Sequence, residues 1–139
     1  MLKVAETAFT DRQPGDLLQL ERALLGIMPR HRLVRDPLRL LAYGTDASFY
    51  RLIPKLVAIV ESEEEVRGLL AECRKRDIPV TFRAAGTSLS GQAVTDSVLC
   101  VLGDGWNDIQ VATDAGSVTL GAGVIGSDAN RRLAPFGRK

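Results

Sequence analysis

The chain has 139 residues, 45% of them hydrophobic and 25% charged, with a formal net charge of +1 at pH 7. That size supports one domain with a real core, and the composition is ordinary for a globular protein. The charge gives no electrostatic reason to expect nucleic acid or an anionic membrane as a partner, and no apolar run approaches the ~20 residues of a membrane helix.

In chain order, Met1–Gly15 has no apolar signal core and reads as a loose leader with a Pro14-Gly15 turn. Asp16 can cap a helix over Leu17–Ile27, whose apolar face is Leu17, Leu18, Leu20, Leu24, Leu25 and Ile27, and Pro29 ends it. Asp36-Pro37 starts a short helix that stops near Gly44. The segment TDASFYR (Thr45–Arg51) then reads as irregular, either a packed connector or a polar–aromatic stretch that touches a ligand.

Lys55–Val60 is a buried strand, rich in β-formers. Ser62 and Glu65 form a capping box opening a helix over Glu63–Arg76, with Val66, Leu69, Leu70 and Cys73 inward. Val80–Phe82 is the next strand, so strand, helix and strand make a βαβ unit with parallel strands. Thr81–Thr95 follows on, a stretch of small residues carrying one charge, Arg83. Ser97–Leu102 is a third strand, and Asp104–Asn107 contains a turn. Ile109–Ala112 and Ser117–Leu120 read as a hairpin around Thr113–Gly116. After Gly121–Gly126, Ser127 or Asp128 can cap a helix over Ala129–Ala134, which Pro135-Phe136-Gly137 breaks.

Two glycine loops carry candidate chemistry. Gly86–Gly91 has the G-x4-G spacing of a nucleoside-triphosphate loop, but Gln92-Ala93 stands where Lys-Ser/Thr is required. Without that cation a triphosphate-hydrolysing site is excluded. What remains suits a diphosphate ester. Gly86 and Gly91 permit positive φ, which lets successive N–H groups form an anion nest, while Thr87, Ser88 and Ser90 add hydroxyls and Arg83 a charge. The plain alternative is a flexible surface loop, although an exposed linker ordinarily carries more charge. Gly121–Gly126 is a literal G-x-G-x-x-G, but its preceding strand is one arm of a hairpin rather than the start of a βαβ unit. Its glycines are expected to permit tight packing or close approach to something bound elsewhere.

Other constellations are absent. His31 sits in a basic stretch and reads as solvated, Glu63–Glu65 form a helix's first turn, and no Cys/His spacing suits a metal. Cys73 and Cys100 are expected as buried reduced thiols, with a cytosolic setting.

The run Pro79–Gln92 resembles the FAD-linked oxidases and dehydrogenases with a PCMH-type (vanillyl-alcohol-oxidase-like) FAD-binding domain, nearest the glycolate-oxidase-subunit-D and D-lactate dehydrogenase branch. Pro54–Val60 with Glu63–Val66, Thr45–Ser48 and Gly123–Lys139 support the resemblance, which covers about residues 35–139. It implies an α+β fold: an N-terminal βαβ subdomain, the start of an antiparallel second subdomain, and FAD extended between them. Arg83, Ala84, Ala85, Gly86, Thr87, Ser88, Leu89, Ser90, Gly91 and Gln92 would form the pyrophosphate loop, with Gly123 and Gly126 beside the flavin. Members oxidise 2-hydroxy acids, such as D-lactate or glycolate, by hydride transfer to the flavin, and some add iron–sulfur clusters in a C-terminal part.

The family pattern continues beyond the final FGRK through the substrate cap and catalytic residues, so no catalytic residue or metal ligand is assigned here. The expectation is an N-terminal portion, inactive alone: residues 1–34 a leader and helix, residues 35–139 a partial FAD-binding domain in which the FAD site is incomplete. Its partners are then FAD, the hydroxy acid in the full-length enzyme, the remainder of its own chain, and itself by self-association. The location is cytoplasmic or peripheral at the inner membrane. Two other readings stand beside it: a stand-alone nucleotide or phosphoester-binding module, and an interaction domain completed by another chain.

Overall fold

The computed structural model describes residues 14–139. The expected leader otherwise lies outside them, but Pro14 and Gly15 do not form a turn. They open helix α1 (Pro14–Leu24), where proline's fixed φ and missing N–H cost little, and Asp16 falls in its first turn. The helix ends at Leu24, earlier than Pro29, and single turns continue to Met28, whose N–H reaches the Leu24 carbonyl at 2.9 Å. Leu20, Leu24 and Met28 are buried, whereas Leu18 and Leu25, expected inward, are exposed.

A two-residue strand β1 (Leu33–Val34) follows that the apolar pattern does not announce. Helix α2 (Pro37–Ala42) starts as expected, with the Asp36 carboxylate accepting the Arg39 N–H at 2.9 Å. Strand β2 (Leu56–Val60), helix α3 (Glu63–Lys75), strand β3 (Val80–Arg83) and strand β4 (Val98–Leu102) lie within about a residue of their expected bounds. Leu70 on α3 is exposed rather than inward.

The sheet runs β1-β2-β4-β3, with β1 antiparallel to β2 and the other pairs parallel. The βαβ strands β2 and β3 are therefore parallel but not neighbours, because β4 lies between them. Alternation along the strands divides the core in two. Leu56, Ala58, Val60, Val98 and Cys100 pack with α1 and α3, while Val57 and Leu99 pack with Val34 and with Leu40 of α2. Just past α1, Ile27 packs on α3 at Gly68, where a Cβ would stand 2.8 Å from it.

A short 3-10 turn (Asp104–Trp106) leads into a separate antiparallel hairpin, β5 (Ile109–Val111) and β6 (Val118–Leu120). Helix α4 begins at Gly126 and runs to Leu133, three residues earlier than expected. Ile125 stands at its N-cap with no side-chain bond, so neither Ser127 nor Asp128 caps it. A 3-10 turn over Ala134–Phe136 and left-handed Gly137 then stop the helix.

Candidate functional site

The fifteen-residue small-residue stretch leaves the sheet at the C-terminal end of β3, a parallel strand, which is where ligands sit in open α/β sheets. Gly86 and Gly91 have φ of 69° and 71°, conformations that strain any L side chain. Between them Ser88 organises the chain. Its Oγ accepts the N–H groups of Ser90 at 3.2 Å and Gln92 at 3.1 Å, and its hydroxyl donates to Gln92 Oε1 at 3.4 Å. Among the described residues, the N–H groups of Gly86, Thr87 and Leu89 have no acceptor. Thr87 and Ser90 are exposed, and no carboxylate stands between Arg83 and Thr95. Free N–H donors, free hydroxyls and no carboxylate of its own suit this stretch to an oxyanion ligand.

The irregular segment before β2 packs directly on this loop. Arg83 Nη1 donates to the Thr45 carbonyl at 2.8 Å and the Tyr43 carbonyl at 3.3 Å, and its guanidinium lies 5.9 Å from the Tyr43 ring centroid. Asp46 accepts the Ser48 N–H at 2.8 Å and the Ser48 hydroxyl, and its second oxygen accepts the Ala93 N–H at 3.4 Å. The Ser48 hydroxyl, with the N–H groups of Ser48 and Ala93, holds the Asp46 carboxyl below its ordinary range. Tyr50 covers Gly91 so closely that a Cβ there would stand 2.7 Å from the ring. A cleft of about 260 Å³, lined by Tyr50, Arg51, Leu52, Ser90, Gly91 and Val94, opens beside the loop. Sequence reading singled out this segment without giving Asp46 or Tyr50 a role. The Asp46–Ser48 spacing signals an Asx turn, but nothing local signals a bond to Ala93.

The second glycine motif stands elsewhere in the contact pattern. A Cβ on Gly121 would overlap the Trp106 carbonyl, and one on Gly123 would lie 2.6 Å from Asn107 Oδ1. The Gly123 N–H donates to the Trp106 carbonyl at 2.9 Å. These two glycines seat the turn of residues 121–124 on the Trp106 turn, the tight packing expected of them. Nothing lies within 4 Å of a Cβ on Gly126.

The remaining chemistry is silent. Burial pushes the Cys73 thiol up to about 11 and the Cys100 thiol to about 12, so neither is a thiolate near neutral pH. Among the described residues no group of His, Cys, Asp or Glu could hold a metal, and no helix is long and apolar enough to cross a membrane.

A family model described as an FAD binding domain matches residues 54–139. D-2-hydroxyglutarate dehydrogenase of Escherichia coli (strain K12) is 33% identical over 101 residues, covering 70% of this chain and 10% of that protein. Glycolate oxidase subunit GlcD of the same strain is 33% identical over 92 residues, covering 62% of this chain and 18% of that one. The chain thus spans under a fifth of the length of these curated relatives. Among solved structures, p-cresol methylhydroxylase with substrate bound superposes with a TM-score of 0.72 at 12% identity, covering 90% of this chain and 26% of that one. At that identity the likeness shows the fold alone, the mixed helix–strand fold of PCMH-type flavoenzymes.

Proposed function

The chain belongs to the FAD binding domain family, and from that premise we propose that Arg83–Gln92 is the segment that holds the diphosphate of FAD in a flavin-dependent oxidoreductase. The observation that carries this reading is the run of unpartnered N–H groups between two left-handed glycines, on a loop without a carboxylate. A diphosphate accepts hydrogen bonds from many directions and needs no catalytic lysine. Gly86, Thr87 and Leu89 supply N–H donors and Thr87 and Ser90 supply hydroxyls, while Ser88 is spent on the loop's own shape. In the same reading Gly123 and Gly126 border the flavin end, and Gly126 has the open space for it.

When bound, FAD supplies the hydride acceptor. The substrate class that the relatives' names support is a 2-hydroxy acid, such as glycolate or D-2-hydroxyglutarate. The work of these residues is to bind and orient the cofactor.

Titration of FAD into the chain, followed by quenching of flavin fluorescence, tests the reading. Saturable binding is expected, with ADP competing, and Gly86→Val or Gly91→Val should weaken it at least tenfold. Unchanged affinity in both valine variants would remove the diphosphate from this loop.

A further inference from the structure

The phosphate-binding loop is tied at both ends to a single turn. Its first residue, Arg83, reaches across to the Thr45 and Tyr43 carbonyls, 38 and 40 residues earlier in the chain. Just past its last residue, the Ala93 N–H reaches Asp46. In between, the Tyr50 ring closes over Gly91. The turn that receives these ties is itself fixed. Thr45 bridges Arg51, the Leu52 N–H donates to the Gly44 carbonyl at 3.1 Å, and α2, just before it, is anchored by buried Leu40.

We propose that the Tyr43–Tyr50 turn is a clamp holding the loop in its ligand-binding shape, with Arg83 and Asp46 as positioning residues at the two ends. The proposal deepens the diphosphate reading and rests on it. It also changes the part given to Arg83. A guanidinium that binds two carbonyls and faces an aromatic ring is engaged with the protein, so its charge is directed to backbone rather than to the ligand. A ten-residue loop rich in glycine and serine would otherwise sample many shapes, and only the ordered fraction binds, which lowers the apparent affinity by that fraction. Lysine keeps the charge of Arg83 but lacks the flat guanidinium that faces the Tyr43 ring while Nη1 sits between two carbonyls, so a clamp and a counter-charge answer differently to Arg83→Lys.

The test uses the full chain with Arg83→Lys, Arg83→Met and Asp46→Asn, read by amide hydrogen exchange without ligand and by FAD affinity at several salt concentrations. A clamp predicts at least tenfold faster exchange at residues 84–92 in all three, with β2 and β4 unchanged. It also predicts that Arg83→Lys and Arg83→Met lose FAD affinity alike, at least tenfold, with the salt dependence of the parent kept. Loop exchange at the parent rate, or exchange and affinity both restored by lysine, would overturn it. So would a rise in exchange spread evenly over β2, β4 and the loop, which marks general destabilisation. Arg83→Lys and Asp46→Asn keep size and polarity, and they decide the matter if Arg83→Met does not fold. If the parent chain binds no FAD, the diphosphate reading falls, and ligand-free exchange still decides the clamp.

Discussion

Gly121 leaves no room for a side chain. A Cβ there would overlap the Trp106 carbonyl oxygen and stand 2.7 Å from its carbon, both backbone atoms that cannot swing aside. Gly121→Ala should therefore destabilise the protein by about 2–3 kcal/mol, as overpacking against fixed atoms does. Gly126, the first residue of α4, meets nothing, so Gly126→Ala should be neutral or stabilise by about 0.5 kcal/mol. Urea denaturation of the two variants separates packing glycines from an open one within a single G-x-G-x-x-G. Equal costs would show that the motif acts as a unit. At this scale the sequence was legible wherever one residue type carried the constraint. The positive φ of Gly86 and Gly91 could be anticipated. In the hairpin the left-handed residue is Ala115, φ 52°, and not its neighbour Gly116. The Asp114 carboxylate takes the Gly116 N–H at 2.9 Å and the Ala115 N–H reaches Ala112 at 2.9 Å, which together hold a conformation that composition alone assigns to glycine.

At the scale of elements, α3 shows what spacing reveals and what it conceals. The Ser62–Glu65 box forms on one side, with Ser62 Oγ accepting the Glu65 N–H at 3.3 Å. The reciprocal bond falls one residue early, from the Glu61 N–H to Glu65 Oε2 at 2.7 Å. The same carboxylate takes both arms of the Arg32 guanidinium, at 2.5 and 2.7 Å, a partner 33 residues away that no local pattern announces. Burial pushes the Glu65 carboxyl up, but the Arg32 bonds, the Glu61 N–H and the Arg32 charge together hold it below its ordinary 4.5. A depressed folded pKa means stability present above that ordinary value and lost as pH falls through the folded one. Glu65→Gln should accordingly cost about 2 kcal/mol at pH 7, and the difference from the parent should shrink as pH falls below about 4.5. Urea unfolding from pH 7 to pH 3 measures it, and a pH-independent difference would remove the charge from the account. Strand order was partly readable too. Val98–Leu102 is apolar on both faces, the mark of an interior strand, whereas Val80–Arg83 carries Thr81 and Arg83 and lies at the edge. Strand β1 was not readable, since two residues cannot display a period.

Over the whole molecule, the two faces of the sheet carry different burdens. Leu69 lies in the large cluster between the sheet and helices α1 and α3, while Leu99 lies in the small one under α2. Both are fully buried. Leu69→Ala should cost about 3–5 kcal/mol, because the two long helices packed on that face cannot settle into the gap. Leu99→Ala should cost nearer 2–3 kcal/mol, because α2 has six residues and can follow the cavity inward. That movement has a consequence the larger loss lacks. Helix α2 runs straight into Tyr43 and Thr45, whose carbonyls receive Arg83, so settling of α2 displaces the anchor of the Gly86–Gly91 loop. Leu99→Ala should weaken FAD binding about tenfold under conditions where the protein stays folded, and Leu69→Ala, though less stable, should bind FAD as the parent does. Urea unfolding paired with flavin titration reads both quantities on the same samples. If affinity instead follows stability across the two variants, the loop depends on the fold as a whole and not on the face that carries α2.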